Sequence, residues 1–311
     1  MNKALKLSVS PHIHSGRSTA GIMRHVLIAL LPAAVAGCVI FGLRSLLVLA
    51  VCVASCVASE FLFNLITKKT QTIGDLSAAV TGLLLGLNLP ASIPLWQCVV
   101  GSVFATIVVK CLFGGIGCNV VNPAMTARVF MLISFGSMAT QSYPTIVDTV
   151  SGATPLAVAA EGGEYSITDL LLGLRGGAIG ETCAIALLIG FIYLLVTRVI
   201  TWHIPVVFVG CVYIGSFFLE GMDPIRALML TLSGGLLLGA IFMATDYVTS
   251  PTTPWGKVIF GFGAAVITIL IRYFGVYPEG VSFAILFMNI LTPYIDGWTK
   301  FKVFGSGGKK A

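Results

Sequence analysis

The sequence predicts an all-helical integral membrane protein with about ten transmembrane helices. Of its 311 residues, 57% are hydrophobic and only 10% are charged, whereas a soluble domain carries about 25% charged residues. About ten apolar segments of spanning length account for most of the chain. These observations exclude an ordinary water-soluble fold, and the glycines follow no three-residue period that would indicate collagen.

The predicted spans are separated by charged or turn-forming residues. They run at about 24–43, 45–66, 76–90, 94–113, 120–138, 177–200, 203–220, 224–245, 254–274 and 279–298. Three spans carry residues that interrupt a helix, namely Asn88, Pro90, Asn119, Asn122, Pro123, Asn289 and Pro293. Broken helices at membrane depth are tolerated only where they line a cavity or are covered by protein, so these segments indicate a buried site.

The order of the predicted spans and the distribution of charged residues divide the chain into five regions. These are an N-terminal segment 1–20, a first transmembrane half 21–138, a loop 139–176, a second transmembrane half 177–298 and a C-terminal tail 299–311. Thirteen of the 18 Lys and Arg residues fall on the side of the N-terminus and four on the opposite side. The positive-inside rule therefore predicts cytoplasmic termini and an extracytoplasmic loop 139–176.

An internal duplication is also predicted. A Gly-Leu string, a Pro/Trp pair and an Asn/Pro pair occur twice in this order, at 81–86, 94–96 and 122–123 and again at 234–239, 254–255 and 289–293. Because five spans per half is an odd number, the two repeats would be inverted, with a site between them near the membrane midplane. Taken alone, Gly-Leu strings are equally typical of close helix packing.

Several classes of site are not indicated. The eight cysteines form no C-x-x-C pair, so we interpret them as small core residues and not as zinc or iron–sulfur ligands. The basic residues flank apolar segments instead of clustering, which argues against nucleic-acid binding. The sequence also contains no G-x-G-x-x-G motif after a strand and no Walker loop, so no nicotinamide site is recognisable.

The loop 139–176 contains a candidate modification site at Thr154. Gly152 and Ala153 leave the Thr154 hydroxyl accessible, and Pro155 favours an extended conformation at Thr154. An accessible hydroxyl is what a modifying enzyme requires. The same residues would also fit an ordinary surface turn.

The run from Asp148 to Thr154, with Ser151, Gly152 and Ala153, resembles a D-x-x-S/T-G-A-T signature. At this signature a flavin transferase couples FMN through its phosphate to threonine in a family of membrane redox subunits. Similar elements occur along nearly the whole chain, at 10–12, 74–82, 114–119, 122–124, 180–182 and 242–246. The family is that of the D subunit of the Rnf ion-translocating electron transport complex, and its nearest relative is the B subunit of the sodium-pumping NADH:quinone reductase.

The resemblance implies covalent FMN on Thr154 and electron transfer between reduced ferredoxin and NAD, coupled to Na⁺ or H⁺ translocation. It implies a flavin transferase for maturation, the A, B, C, E and G subunits of the complex as partners, and a place in the lipid of the cytoplasmic (inner) membrane. Relatives can hold a second, non-covalent flavin such as riboflavin, which we expect near the broken segments around Asn119, Asn122, Pro123 and Asn289, although these residues could instead cap helices. Without the flavin signature, the predicted architecture would favour a solute transporter or channel.

Five charged residues fall within or at the ends of predicted spans, namely Glu60, Lys110, Arg128, Glu181 and Asp246. An unpaired charge there costs a few kcal/mol. We predict Glu60 and Asp246 as ion-path residues, because a carboxylate near a flavin could bind and release a cation as electrons pass. Alternatively, Lys110 snorkels to the surface, Arg128 pairs with a carboxylate and Asp246 caps a helix. Arg175 could contact the flavin phosphate, or it could be a basic anchor that flanks a membrane helix.

Overall fold

The computed structural model describes residues 18–136, 144, 166–275 and 280–300. This part of the chain is helical and forms no β-strand, which confirms the all-helical prediction. The helices are α1 (Thr19–Phe41), α2 (Leu43–Ile66), α3 (Ser77–Leu87), α4 (Leu95–Cys111), α5 (Pro123–Ser134), α6 (Ile167–Leu172), α7 (Ala184–Val196), α8 (His203–Leu219), α9 (Pro224–Leu232), α10 (Leu236–Met243), α11 (Pro254–Phe274) and α12 (Val281–Trp298).

The helices confirm a multi-pass membrane protein. Among the described helices, α1, α2, α11 and α12 are long and apolar enough to cross a membrane, and α9 with α10 passes the same test as a bent pair. Helices α3, α4, α5, α7 and α8 are apolar but shorter. Each predicted span therefore contains one of these helices or the bent pair. An 11-residue helix such as α3 is only about 16 Å long, so the chain beyond it must complete the crossing.

Two spans differ from their prediction. The sixth is predicted at 177–200, but α7 begins only at Ala184. The preceding backbone lies against the end of α3, where the amides of Ile179 and Gly180 donate to the carbonyls of Leu89 and Leu87 at 3.1 and 2.8 Å. The eighth is not one straight helix, because α9 and α10 meet at 64°.

The two halves make corresponding helix contacts. Helix α2 packs against α3 and α4, and α8 packs against α9 and α11, while the halves meet through α1 with α7 and α5 with α12. Glycines permit the closest approaches between the backbones of neighbouring helices. A Cβ at Gly82 would lie 2.7 Å from the carbonyl oxygen of Cys52, and one at Gly190 would lie 2.3 Å from that of Ala29. The correspondence is partial, because α1 packs against α2 and α3 whereas α7 makes little contact with α8 or with the bent pair α9–α10.

Candidate functional site

A cavity of about 100 Å³ lies between the two halves, near the N-terminal ends of α1, α3 and α5. Most of its lining residues are apolar, and they belong to α1, α3, α5, α7 and α10 and to the segments that follow α4, α7 and α10. Polar side chains also line it, namely Ser77, Thr81, Lys110, Asn119, Asn122, Thr245 and Asp246. An apolar wall with a few polar groups is typical of a ligand or cofactor site.

Asn122 connects the start of α5 to the end of α10. Its side-chain oxygen accepts from the amides of Ala124 and Met125 at 3.0 and 3.2 Å, and its Nδ2 donates to the carbonyl of Met243 at 3.2 Å. Asparagine followed by proline is a favourable helix start, because the proline lacks the amide that would need a partner. Asn122 therefore has the capping role that the sequence leaves open as an alternative, and it also lines the cavity.

The other two predicted asparagines lie nearby. Asn119 lines the cavity, and its Nδ2 donates to the carbonyl of Val121 at 3.1 Å. Asn289 is 1% exposed inside α12. In the side-chain orientation that allows both hydrogen bonds, the Asn289 side-chain oxygen accepts from the Asn122 backbone amide. Its side-chain nitrogen donates to the carbonyl of Thr249, and both distances are 3.2 Å. The structure thus joins Asn122 and Asn289, one from each predicted repeat.

Glu60 and Lys110 form a buried ion pair between α2 and α4. The Lys110 ammonium lies 3.0 Å from both Glu60 carboxylate oxygens and donates to Ser77 Oγ at 2.6 Å. Thr72 Oγ1 donates to Glu60 Oε1 at 2.7 Å. The two charged side chains are only 3% and 2% exposed, so Lys110 does not snorkel to the surface. Lys110 lies in a π-helical turn, an irregularity that often occurs at functional sites.

The second predicted ion-path residue, Asp246, lies in the turn after α10. It lines the cavity, and its carboxylate accepts from Thr249 Oγ1 at 3.3 Å. Glu60 does not line the cavity itself, but its ion-pair partner Lys110 does. The structure therefore brings both predicted carboxylates to the neighbourhood of one cavity.

A second buried group of charges lies where α3 and α9 end. Arg128 of α5 donates to Asn88 Oδ1 at 2.7 Å, and its Nη2 lies 3.9 Å from Glu181 Oε2. Arg175 is 3% exposed and donates to the backbone carbonyls of Glu181 and Leu232 at 2.7 and 2.9 Å. Arg128 thus pairs with a carboxylate, which is one of the predicted alternatives, and Arg175 is buried against backbone carbonyls.

The predicted flavin-attachment residues Asp148, Ser151, Gly152, Ala153 and Thr154 lie outside the described residues. Their role remains a prediction from the sequence.

Comparison with known proteins identifies the family. The model of the NQR2, RnfD, RnfE family matches residues 6–305. The chain belongs to this family.

Individual family members are similar over their full length. The D subunit of the Na⁺-translocating ferredoxin:NAD⁺ oxidoreductase complex of Acetobacterium woodii is 48% identical over 307 residues, which cover 97% of this chain and 95% of the relative. The D subunit of the proton-translocating ferredoxin:NAD⁺ oxidoreductase complex of Clostridium ljungdahlii is 39% identical, with 96% of each chain covered. The D subunit of the ion-translocating oxidoreductase complex of Shewanella amazonensis is 34% identical, with 98% and 99% covered.

Family membership confirms the resemblance derived from the motifs. The sequence gives no role, however, to two residues that hold a buried charge pair, because Thr72 and Ser77 provide the hydroxyl partners of Glu60 and Lys110. Each is a polar residue within or beside an apolar span, which is the one signal that could have singled it out. The sequence does identify Arg175 as a candidate, but for contacting the flavin phosphate or flanking a membrane helix. It does not predict the hydrogen bond of Arg175 to the end of α9.

Proposed function

We propose that this protein is the D subunit of an Rnf-type ion-translocating ferredoxin:NAD⁺ oxidoreductase complex and that it relays electrons through covalently bound FMN. The family match over residues 6–305 and the 48% identity to the D subunit of the Acetobacterium woodii complex carry this proposal. Its partners would be the A, B, C, E and G subunits, and a flavin transferase would mature it. The chain contributes no recognisable nicotinamide or iron–sulfur site, so the partners would exchange electrons with NAD and ferredoxin.

Thr154 is the proposed attachment residue, with Asp148, Ser151, Gly152 and Ala153 forming the motif that presents its hydroxyl. When bound there, FMN supplies one- and two-electron transfer. The protein fixes its place through the phosphoester, so that a flavin on the outer face of the membrane is not lost by dissociation.

A gel experiment tests the attachment. With the flavin transferase co-expressed, we expect the denatured wild-type band to fluoresce under ultraviolet light and the Thr154→Val band to be dark. Thr149→Val, in the same run of residues, is the matched control and should fluoresce like the wild type. A dark wild-type band would contradict the proposal and favour the solute transporter or channel.

The proposed location is the cytoplasmic (inner) membrane, with both termini in the cytoplasm and the loop 139–176 outside. The asymmetry of basic residues supports this orientation. Exposed tryptophans lie at helix ends on both sides of the membrane domain, Trp202, Trp255 and Trp298 on the side of the N-terminus and Trp96 on the opposite side, so they mark the ends of the spans and not the orientation. Tryptophan is enriched at membrane–water interfaces.

The cavity is the proposed site of a second, non-covalent flavin. Asn119, Asn122 and Asp246 offer hydrogen-bond donors and acceptors that suit the polar edge of a flavin ring. The enclosed volume is below the roughly 300–1,000 Å³ of ligand pockets, so the described residues surround only part of such a molecule. Acid extraction of the Thr154→Val protein should therefore release flavin, and a flavin-free extract would contradict this site.

Glu60 and Asp246 are the proposed ion-path residues. Their shared proximity to the cavity supports this role, although a cation could reach Glu60 only if Lys110 moved away. Glu60→Gln and Asp246→Asn should lower ion uptake per electron in vesicles that contain the whole complex. Unchanged stoichiometry would rule both residues out, and the same assay in sodium-depleted buffer would distinguish Na⁺ from H⁺.

A further inference from the structure

The ammonium group of Lys110 lies among three oxygen atoms. Its Nζ is 3.0 Å from each carboxylate oxygen of Glu60 and 2.6 Å from Ser77 Oγ. An ammonium group has three hydrogens, so each of these oxygens accepts one of them. The position of Lys110 Nζ is therefore a buried cation-binding position, formed by oxygens from α2 and from the start of α3.

These oxygens are held by bonds that do not involve Lys110. Thr72 Oγ1 donates to Glu60 Oε1 at 2.7 Å and accepts from Asn64 Nδ2 at 3.1 Å. The hydroxyl and the backbone amide of Ser77 donate to Asp75 Oδ1 at 2.5 and 2.8 Å. Because the Ser77 hydroxyl gives its hydrogen to Asp75, its lone pairs face the cation position. The position would thus keep its oxygens if the ammonium group left.

The ligand set determines which cation fits. Carboxylate and hydroxyl oxygens are ligands of hard metal cations, whereas transition metals prefer nitrogen and sulfur. In the part of the chain that the structure describes, no group of three or more His, Cys, Asp or Glu side chains is placed to hold a metal ion. One carboxylate in direct contact balances one positive charge, which is what a buried site requires. The set therefore suits a monovalent metal cation.

The cavity between the two halves gives access to this position. Lys110 and Ser77 both line it, and Asp246 lines it as well. Lysine carries its ammonium group on a flexible four-carbon stem, so the group can leave Glu60 without movement of the backbone. The cavity thus provides an entry for a small cation and a second carboxylate for the displaced ammonium group.

We propose that Glu60 and Ser77 form a binding site for a monovalent metal cation and that Lys110 is its tethered competitor. In the structure the ammonium group fills the site. A cation that enters from the cavity replaces it, and the ammonium group moves towards Asp246, so that each carboxylate then faces one positive charge. A role of this exchange in translocation rests on the proposed ion path, whereas the binding of the cation does not.

Thermal unfolding of the isolated full-length protein in detergent tests the exchange. Sodium chloride replaces choline chloride stepwise at constant ionic strength, so that screening of charges stays the same. Choline is too large for a site of this size, and sodium is the probe. A ligand that binds only the folded protein raises the unfolding midpoint.

Three variants accompany the wild type. Lys110→Ala removes the competitor, and Glu60→Gln/Lys110→Ala removes the carboxylate as well. Lys257→Ala is the matched control, because the bond of Lys257 to Thr201 is exposed and neither residue lines the cavity.

We expect sodium to raise the midpoint of Lys110→Ala, with half of the rise at a sodium concentration about tenfold or more below that of the wild type. In the wild type the site is open only while Lys110 is away, and the apparent affinity falls by that fraction. The double variant should show no rise, and Lys257→Ala should follow the wild type.

Three results would overturn the proposal. The first is a Lys110→Ala midpoint that does not respond to sodium. The second is an equal rise in the double variant, because sodium would then bind elsewhere. The third is a wild type that does not respond at any sodium concentration, because Lys110 would then never be displaced.

A folding defect of Lys110→Ala leaves the test decisive. If the variant folds in sodium but not in choline, sodium replaces the ammonium group as proposed. If it folds in neither salt, the wild type and Glu60→Gln decide, since a rise of the same size in both would overturn the site. The measurement needs neither flavin nor partner subunits. Unchanged ion uptake per electron in Glu60→Gln would therefore end the proposed ion path but not the cation site.

Discussion

Glu60 and Lys110 show how single residues keep charge inside this membrane domain. Each alone would cost a few kcal/mol at membrane depth. Together they neutralise each other at 3.0 Å, and Thr72 and Ser77 use remaining hydrogen-bonding positions. A buried pair of this kind adds little net stability, but it makes the loss of either partner costly.

The ion pair gives a prediction at the residue scale. Lys110→Met should lower the free energy of unfolding by about 3–5 kcal/mol, because it leaves the Glu60 carboxylate buried without a counter-charge. The double variant Glu60→Gln/Lys110→Met should lose less, since no charge remains. A double-mutant cycle of unfolding in detergent measures both. Lys257→Met, which removes a solvent-exposed hydrogen bond to Thr201, is the control.

A double variant as unstable as Lys110→Met alone would contradict the pairing. The sequence could single out Glu60 and Lys110 as buried charges, because they interrupt apolar runs. It could not pair them, since they are 50 positions apart and each had several possible partners. Pairing depends on the rotation of α2 and α4 about their axes, which the hydropathy of nearly uniform apolar helices does not determine.

At the scale of the elements, glycine decides how closely helices approach. Gly82 lies on α3 against the backbone of Cys52 and Val53 in α2, and a Cβ there would lie 2.7 Å from the nearest backbone atoms. The neighbouring atoms belong to a helix backbone and cannot rotate away. The Gly-Leu string of the first half therefore has a packing role.

Gly82→Ala should destabilise the protein by about 1–3 kcal/mol, because the two helices must separate to accommodate the methyl group. Gly210→Ala in α8 is the matched control, since nothing lies within 4 Å of the position of its Cβ. The control should be neutral or slightly stabilising, because alanine favours the helix. Thermal unfolding of both variants measures the difference, and equal stabilities would show that α2 and α3 are not in close contact.

The spans could be located from the sequence, but their internal breaks were harder to predict. Long apolar runs ended by charges indicate the positions of all the helices that occupy the predicted spans. Residues 177–183 are wrongly predicted as part of the sixth helix, because the sequence that they continue is apolar and rich in glycine. Their non-helical backbone depends on α3 and, through Arg175, on α9, which lie far away in the sequence.

At the scale of the whole molecule, both halves of the chain line one cavity. In the proposed orientation, the segment between α4 and α5 lies on the cytoplasmic side of the membrane. Cys118 lies in this segment and is exposed, whereas the other seven cysteines, all in the described part of the chain, are buried or partly buried. This single thiol reports the orientation of the protein.

A membrane-impermeant maleimide should therefore label the protein in inside-out vesicles and leave it unlabelled in right-side-out vesicles. Cys118→Ser should abolish the labelling, which shows that no other thiol reacts. The protein should be expressed without its partners in the complex, so that they cannot cover the segment. Labelling from the outside would reverse the proposed topology.

The bend between α9 and α10 also constrains how the protein is made. The carbonyls at the end of α9 are bound by Arg175, which is synthesised before this span, and by Arg272, which is synthesised after it. When the eighth span is synthesised, the partner of its Leu230 and Ser233 carbonyls, Arg272, is therefore not yet present. We therefore expect the bend to reach its final hydrogen bonding only after α11 has been inserted beside it.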